Sequence, residues 1–255
     1  MATWYNTGRH WRKASFAMDS SNLKGILVGG GPSLNKIDKS KLRGAGKRVF
    51  GLNNTYPDVI PDVWFGLDKA ACYNGRVFDE PFMKFRRGGF PDEYRDGVRL
   101  NNKVNTYYLD VEECDWSELF KRRDHDIKFV WHKNSMATAI HVMIWMGCKE
   151  IYLAGCDLDN SKDDYFNEVT LIKEHKARNA KLYDELSSYL AWLVHEAKRH
   201  GVSIYSLSPD SKINSFLEFV EIDDLNKEIE TSMLEKGDLP YVIEVDNNEK
   251  EKKKA

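Results

Sequence analysis

Gly25-Ile26-Leu27-Val28-Gly29-Gly30-Gly31-Pro32-Ser33-Leu34 is a short apolar run that breaks into three glycines, a proline and a serine. An apolar run closed by turn formers reads as a buried strand, and the mixed segment that follows to Leu42 reads as a tight turn and a short helix. Such a turn aims backbone N–H groups and the positive end of the helix at one point, which suits a phosphate. The same residues also make an ordinary strand-to-helix turn that needs no ligand. The dinucleotide fingerprint is absent, because Leu34 stands where its third glycine belongs. Nor is there a P-loop, because Gly46-Lys47 is followed by Arg48 rather than Ser or Thr.

Outward from this unit, further short apolar runs lie at 48–52, 63–67, 106–109, 129–131, 151–154 and 202–207. Helical periodicity separates several of them. Ala139, Val142 and Met146 recur at helical spacing across 135–146, with Gly147 placed to end that helix, and Leu182, Leu186, Leu190 and Leu193 form a stripe within 171–200. Strands alternating with helices predict an α/β, Rossmann-like chain with a mainly parallel sheet, helices on both faces and a small lid. The predicted divisions are an N-terminal arm at 1–23, a catalytic domain at 24–220 with its lid at about 158–185, a helical segment at 221–246 and a charged, disordered tail at 247–255. The stretch 74–104, rich in Gly, Pro, Arg and Asp, is expected to be an irregular excursion on the sheet rim.

A chain of 255 residues with 42% hydrophobic residues can bury one substantial core without a disulfide or a metal. The formal charge of −2, from 38 basic and 40 acidic residues, gives no broad attraction to nucleic acid or anionic membrane. Cys72, Cys114, Cys148 and Cys156 are scattered, as expected of reduced thiols, and no run approaches the ~20 apolar residues of a membrane span. A cytoplasmic chain is expected, free to form a homo-oligomer.

Three more clusters sit just past predicted strands. Asn53-Asn54 can hydrogen-bond a ribose or a base, although Asn-Asn is also common turn chemistry. Asn134 and Ser135 open the 135–146 helix, where a phosphate can be held. Asp157 and Asp159 form an Asp-x-Asp pair whose hard oxygens suit Mg²⁺ or Mn²⁺ bridging to a diphosphate, yet a solvated loop explains them equally. His195-Glu196 with His200 is not a zinc-protease motif, because the second His falls at i+5, off the helical face. His175, in a polar stretch beyond the Asp pair, is a candidate base.

In their shared order, four segments resemble the bacterial sialyltransferases of glycosyltransferase family 42 and the related DUF115 proteins, which include archaeal 6-hydroxymethylpterin pyrophosphokinases. They are 26–34 (ILVGGGPSL), 52–56 (LNNTY), 135–157 (SMATAIHVMIWMGCKEIYLAGCD) and 203–217 (SIYSLSPDSKINSFL). The resemblance implies a CMP-activated sugar donor bound by Gly29, Gly30, Gly31, Pro32, Ser33, Asn53, Asn54, Asn134, Ser135, Asp157 and Ser208. It also implies a GT-A-variant form of the Rossmann-like core, Tyr165 assisting departure of the phosphate, His175 as the base on the acceptor, and direct displacement. Gly30 stands where the family usually carries Asn, Asp159 where it has a second lid tyrosine, and His132 in place of an arginine. The expected partners are a nucleotide sugar and a hydroxyl acceptor, either a glycan or a modified nucleic acid. A pyrophosphokinase using ATP and Mg²⁺ is the alternative, with Asp157 and Asp159 as ligands. A nucleic-acid-associated module is the third, suggested by Arg9, His10, Trp11, Arg12 and Lys13 and by the lysines of the tail.

Overall fold

The computed structural model describes residues 3–6, 11–13, 23–88, 94–95, 98–100, 103–113, 120, 128–131, 134–159, 165–166 and 173–236. In chain order the strands are β1 (Thr3–Asn6), β2 (Trp11–Lys13), β3 (Lys24–Val28), β4 (Lys47–Leu52), β5 (Val63–Gly66), β6 (Met83–Arg87), β7 (Tyr94–Arg95), β8 (Val98–Arg99), β9 (Thr106–Leu109), β10 (Val111–Glu113), β11 (Phe129–Trp131), β12 (Glu150–Ala154) and β13 (Ser203–Ser206). The α-helices are α1 (Ser135–Trp145), α2 (Lys173–Arg199) and α3 (Ile222–Lys236).

The main sheet has the order β13-β12-β3-β4-β5-β6-β9-β1-β2. From β13 to β9 all neighbours are parallel, and β1 and β2 extend the edge as an antiparallel hairpin. The fold is α/β and Rossmann-like. Strand alternation sorts the core into layers. Leu27, Phe50, Phe65 and Leu153 face the side covered by α1 and α2, whereas Ile26, Val28, Val49 and Tyr152 face Leu225 and Ile229 of α3. α1 is buried from Ser135 through Met143, as a helix wrapped by sheet and neighbours must be.

Two expectations are corrected. The stretch 74–104 is no excursion throughout, because it contains β6, an interior strand between β5 and β9. Its alternate residues Lys84 and Arg86 are 0% and 1% exposed, so charge conceals a buried strand. Lys84 Nζ donates to the carbonyls of Glu80 and Phe82, and burial pushes its pKa down to about 8. Arg86 donates to the carbonyl of Gly66 at 2.8 Å, with its guanidinium 5.5 and 5.4 Å from the rings of Tyr73 and Phe78. The backbone carbonyls and aromatic faces thus take up charge that would otherwise be costly to bury. The strand at 129–131 exists but pairs with β10 in a separate two-stranded parallel sheet. The residues beyond 236 and most of the arm, with His10 among them, lie outside the described residues. Among the described residues no helix is long and apolar enough to cross a membrane.

His141 ties α1 to β11, with Nδ1 accepting the Val130 N–H at 3.0 Å and the ring edge-on to Phe129 at 5.1 Å. Burial lowers its pKa to about 3, well below the ordinary value of 6.5. The unfolded chain therefore binds this proton more readily, so the stabilisation is complete above pH 6.5 and is lost as pH falls toward 3, by up to about 1.4 kcal/mol per pH unit. Thermal melts from pH 7 to pH 5 should show a falling Tm for the wild type and a shallower fall for His141→Gln; parallel curves would contradict this assignment.

Candidate functional site

After β3 the chain steps outward through β4, β5, β6 and β9, then returns to lay β12 on the other side of β3. The loops leaving β3 and β12 diverge at that reversal, and in open α/β sheets the resulting crevice at the strands' carboxyl ends is where ligands bind. The glycine loop 29–33 forms one wall and the segment 155–159 the other.

The two walls are fastened together. Gly29 N–H donates to the Ala154 carbonyl and Gly31 N–H to the Gly155 carbonyl, both at 2.7 Å. A Cβ on Gly29 would lie 2.5 Å from the Gly155 carbonyl oxygen, and one on Gly31 would lie 2.5 Å from Asp157 Oδ2. These two glycines are therefore required by packing, and their N–H groups are already in use. Ser33 completes the fastening: its N–H donates to Asp157 Oδ2 at 2.9 Å and its hydroxyl to Oδ1. Ser208 is fully buried beneath the same turn, with Oγ accepting the Gly155 N–H at 2.9 Å. Gly30 differs from its neighbours, because a Cβ there would meet the Tyr165 ring at 3.4 Å, and its carbonyl accepts the Phe166 N–H at 3.0 Å.

Between the walls lies a cleft of about 120 Å³ lined by Gly29, Gly30, Gly31, Asn53, Asn134, Ser135, Asp157, Asp159, Tyr165 and Tyr183 among others. Asn53, at the end of β4, has the left-handed φ of 51°. Its Oδ1 is buried with no hydrogen-bond partner among the described residues. A non-glycine residue in that conformation and a buried unsatisfied carbonyl each carry a cost, and their coincidence marks a site poised for a donor group. Leu158, φ 51°, is a second left-handed residue on the opposite wall. The N-terminus of α1 opens on the cleft, with Asn134 Oδ1 capping the Met136 N–H at 2.7 Å. The positive end of an 11-residue helix thus faces the space.

Nine of the fourteen residues singled out in the sequence line this cleft: Gly29, Gly30, Gly31, Asn53, Asn134, Ser135, Asp157, Asp159 and Tyr165. Pro32 and Ser33 line a neighbouring cleft of about 220 Å³ on the far side of Asp157 and Asp159. Asn54 lines a third, of about 200 Å³, and donates to the Cys72 carbonyl at 3.0 Å. Ser208 lines none of the three and instead supports the Gly155 turn. His175 falls in the first turn of α2, with its side chain outside the described residues. The expected cation at Asp157 and Asp159 finds no ligand set: both Asp157 oxygens accept from Ser33, and no group of three or more His, Cys, Asp or Glu comes together among the described residues. Tyr183 had no local signal, because it lies mid-helix and only the packing of α2 brings it to the cleft.

In fold the chain is similar to the sialyltransferase CstII from Campylobacter jejuni, solved in complex with a substrate analogue, cytidine-5'-monophosphate. The TM-score is 0.50 at 19% identity, covering 78% of this chain and 86% of that one. The monofunctional α-2,3-sialyltransferase Cst-I of the same organism gives a TM-score of 0.47 at 19% identity, covering 83% and 85%. No family model and no curated protein matches the chain.

The glycine geometry yields a discriminating test. Gly29→Ala should lower stability by about 1–3 kcal/mol, because backbone must give way. Gly30→Ala should leave Tm within the range of a neutral surface change while weakening binding in the cleft. Equal Tm losses for the two variants in calorimetry would contradict the division of roles.

Proposed function

We propose that the chain is a glycosyltransferase that moves a sugar from a nucleotide-sugar donor, a CMP-sugar in preference, to a hydroxyl acceptor by direct displacement. The observation that carries this is the complementarity of the crevice to a nucleotide. The α1 N-terminus offers the positive potential that a phosphate needs, and Asn53 Oδ1, which has no partner among the described residues, offers the acceptor that a ribose hydroxyl or exocyclic amine needs. Two further supports are the fold shared with a sialyltransferase solved with cytidine-5'-monophosphate and the four sequence segments that resemble that family.

In this scheme Gly30, Asn53 and Ser135 hold the nucleotide, Asn54 borders the adjoining cleft rather than the nucleotide, and Gly29, Gly31, Ser33, Asp157 and Ser208 keep the two walls at the separation it requires, with Pro32 in the same loop. Tyr165 lines the cleft next to Gly30, and in this scheme its phenol donates to the departing phosphate and stabilises its charge. No step is routed through a cation, since Asp157 is committed to Ser33. The pyrophosphokinase alternative, which relied on Asp157 and Asp159 as metal ligands, gains no support from these contacts.

The test is mass spectrometry of small molecules released from CMP-, UDP- and GDP-sugars, and from ATP with 6-hydroxymethyldihydropterin. Free CMP from a CMP-sugar is the expected result. AMP from ATP would establish the pyrophosphokinase instead, and no turnover of any nucleotide sugar would overturn the proposal.

A further inference from the structure

The crevice does not end at Asn53. It continues along the carboxyl ends of β3, β4 and β5 into the cleft of about 200 Å³ lined by Gly30, Leu52, Asn53, Asn54, Asp68, Cys72, Tyr73, Tyr165 and Phe166. Gly30, Leu52, Asn53 and Tyr165 line both spaces, so groups bound in the two meet across one shared wall. Lys39 Nζ lies 5.0 Å over the Phe166 ring, yet among the described residues no Lys, Arg or His lines this second cleft. Its polar groups are side-chain amides, phenols, a thiol and one carboxylate, Asp68, beside the aromatic rings of Tyr73, Tyr165 and Phe166.

Asp68 lies two residues past β5 and is exposed at the cleft, its carboxylate without a hydrogen-bond or ion-pair partner among the described residues. Its backbone is held firmly all the same. The Asp68 N–H donates to Tyr73 Oη at 2.6 Å, and the Tyr73 ring packs edge-on to Trp64 at 5.0 Å and against the buried Arg86. Trp64 in turn donates from Nε1 to the Asn53 carbonyl at 2.7 Å. One buried lattice therefore positions both Asp68 and the left-handed Asn53, and with them the two sides of the shared wall.

From this, and resting on the glycosyltransferase proposed above, we infer that the second cleft binds the acceptor as a neutral, hydroxyl-bearing ring, with Asp68 as its base. A carboxylate that no lining cation offsets among the described residues disfavours phosphate and carboxylate groups, and with them nucleic acid and other anionic acceptors. Amides and a carboxylate hydrogen-bond hydroxyls, while aromatic faces cover the ring's apolar side. In the transfer, the acceptor O–H proton passes to an Asp68 oxygen and the oxygen lone pair forms the bond to the sugar's anomeric carbon. The bond from that carbon to the phosphate oxygen breaks, its electron pair leaving with the nucleoside monophosphate, and Asp68 then releases the proton to water. His175 is the competing base. Its backbone precedes that of Tyr183 by eight residues along α2, about 12 Å of helix axis, toward the helix start.

The deciding experiment compares Asp68→Asn, Asp68→Glu and His175→Ala for nucleotide Kd and for transfer to neutral p-nitrophenyl glycosides or their phosphorylated counterparts. Asp68→Asn should bind CMP as the wild type does, keep the donor KM, and lose about 10²-fold or more in transfer kcat, with partial recovery in Asp68→Glu. Transfer by Asp68→Asn close to wild type, or loss of transfer in His175→Ala alone, would overturn the inference while leaving the glycosyltransferase intact. Absence of donor turnover by the wild type would instead mark failure of the functional proposal. The ligand class is read separately through Cys72, an exposed thiol in the same cleft. Neutral glycosides should slow its alkylation by N-ethylmaleimide, followed by peptide mass spectrometry, and phosphorylated ones should not; equal protection by both, or none by saturating neutral glycoside, would contradict it.

Discussion

The N–H groups of Gly29 and Gly31 reach across to the carbonyls of Ala154 and Gly155, 2.7 Å away in each case, and these two hydrogen bonds set the spacing of the walls on either side of the crevice. They form only because no Cβ stands between the strand ends. Ser33 then locks onto both oxygens of Asp157, and Ser208 holds the Gly155 turn from below. The outcome is a rigid seam with Gly30 facing the ligand space. A glycine-rich loop of this kind is first a device for bringing two strands' loops into contact, and under the proposed function phosphate recognition falls to the residues that the contact leaves uncommitted.

Much of the fold was legible because parallel strands in a covered sheet read as short apolar runs. β3, β4, β5, β9, β12 and β13 all appear that way in the sequence, and the period of the leucines in α2 marks its buried side. β6 escaped because Lys84 and Arg86 occupy one of its faces and turn formers surround it. Hydropathy cannot anticipate a lysine that ends on two backbone carbonyls or an arginine between two rings, because those partners come from β5, from the Tyr73 turn and from the segment before β6. The same contacts that hid the strand also fix Tyr73, and through it the backbone of Asp68.

For the site, strand ends were the informative positions. Asn53, Ser135, Asp157 and the glycine loop each follow or precede an element whose limits are visible in the sequence, and the order of β12 beside β3 gathers them. Roles were less legible than places. Asp157 had the look of a metal ligand and is an internal hydrogen-bond acceptor, and Ser208 had the look of a ligand contact and is a buried prop. Tyr183 and Asp68 depend on how α2 and the loop after β5 pack, a long-range outcome that carries no local motif.

The central claim is that a nucleotide occupies the space between the loops of β3 and β12. Backbone amide chemical shifts of the isotope-labelled protein, followed by NMR during titration with CMP, test it most directly. Saturable movement of the Gly30, Asn53, Ser135 and Tyr165 amides, with the β7–β8 hairpin and α3 unmoved, is the result expected. Saturation with shifts confined to other surfaces, or no shift at millimolar CMP, UMP and GMP alike, would contradict it.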